Sequence, residues 1–207
     1  MLKNRESGNI MAYQVIDLTC PGCGARIAID QKICEYCDSP VLISSFNTVY
    51  SMPAAASMKY LSSYNEALAN SPDAYKVHSA AGMCHLKLKR YDKALESFEK
   101  AIDANIDNSE TYFYAAVCLL NGKKAFMQQR STIDKVLTFI NAAIMLEPRG
   151  IYYYFLAYIK YDFFERKYLN TTPNYKNCLS MASQYGVSVH DKHMLFDILG
   201  VAAPSCM

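Results

Sequence analysis

Residues 82–101, GMCHLKLKRYDKALESFEKA, decide the architecture. Tyr91, Ala94, Phe98 and Ala101 recur at helical spacing, with Asp92, Lys93, Glu96, Glu99 and Lys100 between them, so this half reads as an amphipathic helix over KRYDKALESFEKAI. The preceding half, with Gly82, Met83, Leu86 and Leu88, is a second helical stretch closed by the basic run Lys87, Lys89 and Arg90. A small residue at 82 and an aromatic one at 98 suit two antiparallel helices that cross closely, the ring filling the space that the glycine leaves.

The pattern repeats. Thirty-four residues before Phe98 and Ala101 stand Tyr64 and Ala67, and thirty-four after Gly82 stands Ala116, opening YFYAAVCLL as another first helix. Its partner, STIDKVLTFINAAIMLEP, places Ala143 forty-two residues after Ala101, so eight extra residues fall around NGKKAFMQ in the turn. A further first helix is expected at about 150–166, followed by PNYKNCLSMASQYG and VHDKHMLFDIL. Self-similarity at such a period is the signature of stacked helical pairs, and the motif G-x8-Y-x2-A-x3-F-x2-A resembles a tetratricopeptide repeat, most specifically over 75–108. That resemblance implies a mostly α protein, an α-solenoid of antiparallel pairs that binds other proteins.

Outward from the helices, residues 18–40, LTCPGCGARIAIDQKICEYCDSP, hold two CxxC pairs, Cys20/Cys23 and Cys34/Cys37, ten residues apart. Each CxxC lets one tight turn present two sulfurs to the same ion, and zinc takes four thiolates in a tetrahedron. RIAID at 26–30 and PVLIS at 40–44 read as the strands of a short hairpin. The stretch resembles a zinc ribbon, with Asp38 where such ribbons carry Gly after the final cysteine. One structural Zn²⁺ is expected, because four cysteines leave no open position for catalysis. Redox chemistry of a single CxxC competes, but a thioredoxin-like motif belongs in a βαβ unit that this sequence lacks.

The expected organisation is a tail at 1–15, the ribbon at 16–45, a linker at 46–57, and a helical domain at 58–207 ending in capping helices. The chain has 207 residues, 52% of them apolar, with a net charge of +2, so no global charge footprint marks nucleic acid or membrane as a partner. The ribbon is net acidic: Lys3, Arg5, Arg26 and Lys32 face Glu6, Asp17, Asp30, Glu35, Asp38 and a zinc–thiolate centre of about two negative charges. Residues 1–11, MLKNRESGNIM, hold no apolar run and do not read as a secretory signal, and IYYYFLAYI at 151–159 falls short of the ~20 residues of a membrane helix. A cytoplasmic setting follows, where thiols stay reduced. The 17 tyrosines, without a tryptophan, point to packing and interfaces.

No phosphate-binding Gly-rich loop, serine elbow or HExxH is present, so no enzyme is expected. Cys84 and Cys118, at equivalent positions thirty-four apart, read as small core residues, while His190 and His193 share a helix face and could take a metal with Cys206. The groove-facing positions of the first helices are Met83 and Leu86, then Phe113, Val117 and Leu120, then Tyr152, Phe155 and Ile159. They form an apolar stripe for a protein partner, unless the ribbon, the linker or the C-terminal helix covers it. Turn cations Lys87, Lys89, Arg90, Lys123, Lys124, Arg166 and Lys167 could align as a basic ridge for nucleic acid, although exposed helix C-termini also favour such residues.

Overall fold

The amphipathic half of the 82–101 stretch forms helix α4 (Tyr91–Ala104), and Tyr91, Ala94, Phe98 and Ala101 are its buried positions. Helix α3 (Tyr75–Lys87) runs against it, with every residue from Val77 to Leu86 buried because neighbours cover it on more than one side. Gly82 is required at their crossing: a Cβ there would lie 2.6 Å from the Phe98 ring. The turn between them closes with Arg90 N–H donating to the His85 carbonyl and Lys89 N–H to that of Leu86. Lys89 takes the left-handed position of this motif, at φ 55°, where glycine is usual.

The computed structural model describes residues 17–28 and 31–207. From α2 (Ala54–Asn70), each helix packs on its predecessor through α3, α4, α5 (Ser109–Cys118), α6 (Arg130–Leu146), α7 (Gly150–Ile159) and α8 (Tyr175–Gln184). The pairs α3/α4, α5/α6 and α7/α8 make an antiparallel helical solenoid, closed by α9 (Val189–Leu199) lying against α5 and α7. Side chains cap the later helices: Asn108 accepts from Thr111 N at α5, and capping boxes Asn174/Asn177 and Ser188/Asp191 open α8 and α9.

The helix expected over 150–166 changes character midway. It leaves α geometry for a π segment, Lys160–Phe164, and a 3-10 turn, Glu165–Lys167. The eight extra residues explain the change. Their 3-10 turn, Ala125–Met127, packs on the π segment, where Asp162 accepts from Phe126 N at 2.8 Å and from Arg166 at 2.5 Å, while Tyr158 OH accepts from Ala125 N.

The N-terminal region differs from expectation in two ways. The partner of strand β2 (Arg26–Ala28) is β1 (Asp17–Thr19), before the first CxxC, and the Cys20–Gly24 turn closes the antiparallel hairpin with Leu18 opposite Ile27. The PVLIS segment forms no strand and touches the ribbon by a single bridge, Pro40 to Ile33. Tyrosines take its backbone groups instead: Tyr60 OH donates to the Pro40 carbonyl, and Ile43 N–H donates to Tyr64 OH at 3.0 Å. The expected linker at 46–57 is helical for much of its length, as α1 (Phe46–Ser51) and the start of α2. The tail expected at 1–15 lies outside the described residues, as do Ile29 and Asp30 at the end of the RIAID strand.

Candidate functional site

Two tight turns bring the four ribbon cysteines together. In the first, Cys20 N–H donates to the Ala25 carbonyl and Gly24 N–H to that of Cys20; in the second, Cys34 N–H donates to Ser39 and Asp38 N–H to Cys34. Gly22 lets the turns approach, since a Cβ there would collide with Ser39 Oγ. Asp38 holds the left-handed conformation at φ 57°, so aspartate supplies the geometry that glycine gives more cheaply.

The Sγ atoms of Cys20 and Cys37 are 3.6 Å apart, those of Cys23 and Cys34 3.7 Å, and all four lie within 4.8 Å of one another. Thiolates at about 2.3 Å around a tetrahedral ion would have edges of about 3.8 Å, so the donor set fits such a metal. The electrostatics ask for a cation. Hydrogen bonds from Ser39 draw the Cys37 thiol down to about 6. At Cys23 the Ala25 backbone favours the thiolate, but burial and the neighbouring sulfurs outweigh it and push the thiol up to about 12. Crowded sulfurs thus resist ionising together unless a positive charge sits among them. Cys20, Cys23, Cys34 and Cys37 are the only set of three or more such ligands that converges among the described residues. His190, His193 and Cys206 form no such set.

The ribbon is seated on α2. Ser63 Oγ donates to the Thr19 carbonyl, Thr19 Oγ1 to Glu66 at 3.2 Å, and Leu18, Val41 and Ile43 are buried in the shared interior. Pattern reading did not mark Tyr60, Ser63 and Tyr64 as anchors, although Tyr64 stood out there as a repeat position.

Met83, Leu86, Phe113, Val117, Leu120, Tyr152, Phe155 and Ile159 are brought together, but as core: none is more than 3% exposed. The stripe is therefore part of the interior, the covered alternative that the sequence left open. Phe113 packs on Tyr152 at 4.9 Å and on Phe155 at 5.8 Å between neighbouring first helices. The chain's own segments cover the rest. From α1, Phe46 packs on Tyr114 at 5.2 Å and Lys87 Nζ donates to the Tyr50 carbonyl, while Phe196 of α9 meets Tyr158 edge-on at 5.4 Å. Helical periodicity identifies an inward face without telling a groove from a packed interior.

The basic ridge is largely occupied. Lys87 serves Tyr50, Lys89 pairs with Asp197, Arg166 with Asp162, and Lys167 Nζ lies 3.9 Å from the Phe163 ring centroid. Cys84 and Cys118 are buried, which pushes the Cys84 thiol up to about 12 and that of Cys118 well above its ordinary value. Neither is poised for thiolate chemistry.

With this geometry in view, a tetratricopeptide-repeat family model matches residues 75–108, the α3/α4 pair and its flanks. Among solved structures, chains of MamA align with this one. A MamA RS-1 double mutant is 15% identical over 72% of this chain and 76% of that one, with a TM-score of 0.48. MamA 41-end from Desulfovibrio magneticus RS-1 is 15% identical over 74% and 75%, at 0.45. A MamA from AMB-1 is 20% identical over 70% and 82%, at 0.46. No protein of curated function matches the chain. Among the described residues no helix is long and apolar enough to cross a membrane.

Proposed function

We propose that the chain is a non-enzymatic adaptor of a reducing, cytoplasmic setting, in which a tetratricopeptide-like solenoid holds a protein partner in a larger assembly. A ribbon closed by one structural zinc would complete its N-terminal end. The observation that carries this reading is the run of stacked helical pairs, an architecture whose usual work is to present binding surface. Zinc would be held by Cys20, Cys23, Cys34 and Cys37 and would supply cross-linking alone, since four thiolates leave no place for water or substrate.

The test has two arms. Elemental analysis of protein purified without added metal is expected to give close to one zinc per chain; a ratio near zero removes the zinc ribbon. Affinity capture of the full chain from its native cell is expected to retain a defined protein, in a yield unchanged by nuclease. Loss of that protein on nuclease treatment would turn the assignment toward a nucleic-acid-associated factor.

A further inference from the structure

Helix α9 ends at Gly200, and residues 201–207, VAAPSCM, then cross to the π segment over a trough that they fill poorly. On one side of Ala202 and Ala203 lies a cavity of about 590 Å³, with Tyr154 and Phe196 among its walls and Lys192 and His193 at its edge. On the other lies one of about 220 Å³, lined by Tyr158, Tyr161, Lys124 and Arg166. Both alanines line both cavities, so their methyl groups form the wall between two neighbouring hollows along this segment. The larger cavity is open to solvent and of the size that holds a ligand. The segment's backbone hydrogen bonds, among the described residues, are Val201 N–H to Phe196 and Met207 N–H to Pro204.

We infer that this trough is the docking surface of the solenoid and that it takes an extended acidic segment of a partner protein, one with a large apolar side chain between carboxylates; the inference rests on the adaptor reading. Charge and shape select the occupant. Lys192 Nζ stands 4.8 Å from the Tyr154 ring centroid, and neither it nor Lys124 has a carboxylate within 4.0 Å among the described residues. Lys89 and Arg166 are engaged with Asp197 and Asp162, which holds them in place at the rim. One lysine therefore waits beside each cavity, and the aromatic walls of the larger one suit an apolar side chain seated between two carboxylates. A trough divided by alanines is concave where a bilayer is flat, and two uncompensated lysines are few for a phosphate backbone.

The experiment is fluorescence anisotropy with the full chain and a labelled peptide, Glu-Asp-Phe-Glu-Asp-Leu, against the same peptide with Gln and Asn for its acids. The acidic peptide is expected to bind at least about tenfold more tightly, and Lys124→Glu with Lys192→Glu to erase that difference. Ala202→Trp, which enlarges the wall, is expected to reduce binding without changing helical circular dichroism. Equal binding of the two peptides, or binding untouched by the double charge reversal, overturns the inference. So does retention on phosphatidylserine vesicles, or on duplex DNA, that exceeds peptide binding and disappears in the same double variant. Native capture separates this inference from the adaptor reading. A partner still recovered by the double variant leaves the adaptor standing and removes the trough. Peptide binding in a chain that captures no protein removes the adaptor and keeps the trough.

Discussion

Between Tyr75 and Ala104 the chain is ordered by its own apolar pattern, whereas between Asp17 and Ile43 it is ordered by four sulfurs and a neighbouring helix. In the α3/α4 pair, Phe98 fills the space over Gly82 and each helix supplies the surface that the other buries. The ribbon has a hairpin of three residues a side, with Leu18 and Ile27 as its buried pair, and borrows tyrosine hydroxyls from α2 for backbone groups that no third strand satisfies. Repeated units can thus be read locally, while the chain that surrounds a small cysteine cluster becomes legible only together with what it rests on.

The sharpest way to break this contrast is Phe98→Ala. Because the ring is fully buried over Gly82, the substitution is expected to cost about 3–5 kcal/mol and to lower the melting of the whole solenoid. A loss under about 1 kcal/mol would mean that the pair is not ordered by this contact. Disabling the cysteine cluster is the complementary blow. Chelation, or Cys34→Ser, is expected to unfold the ribbon while most ellipticity at 222 nm survives, since the solenoid has its own core. Loss of most helical signal would join the two regions into one cooperative unit.

Tyr64→Phe probes the seam. It leaves the buried Ile43 N–H without an acceptor and is expected to cost about 1–2 kcal/mol, seen as faster hydrogen exchange across residues 40–44. Exchange unchanged there would show that the hydroxyl is not what holds the segment. Asp38→Gly should act the other way, stabilising the second knuckle by up to about 1 kcal/mol, because φ 57° strains aspartate and not glycine. Slower loss of metal to a chelator would register the gain. The smallest effect is expected at His85. Desolvation, then Arg90 and Lys93, hold its pKa below the ordinary 6.5 in the folded chain, and its Nδ1 is buried without a partner. The unfolded chain therefore binds the proton first, so stability present above about pH 6.5 is lost as the pH falls toward the depressed value. In His85→Leu the drop in melting temperature between pH 7 and pH 5 should be smaller; an identical drop in both proteins would free His85 of that role.

The helical half was legible because its period is written in single residues: Gly82, Phe98 and Ala101 recur with substitutes at known distances, and the forty-two-residue step announced an insertion. The cysteine cluster was equally legible, because CxxC spacing is a local geometric device. What escaped were contacts between segments far apart in sequence. Nothing in PVLIS marks that the Ile43 amide meets Tyr64 rather than a strand, and nothing in Phe113 or Phe155 separates a groove from a seam already covered by α1 and α9. Asp162, inside the aromatic run KYDFF, was the most visible clue to a tertiary anchor, since a carboxylate in such a run needs partners when buried.

The π segment Lys160–Phe164 has one further consequence, for how this chain can change length. A π turn carries one residue more than the α turn it replaces, and each α residue advances the helix by about 100°. Deleting one residue within 161–164 would let regular helix run on, with the downstream chain still arriving in register at the Glu165–Lys167 turn. The same deletion inside Gly150–Ile159 would swing Tyr152 or Phe155 out of the interior. The spare residue makes this the place in α7 and its continuation where a shortened relative could arise with its fold intact, at the expense of the Asp162 tether on residues 125–127.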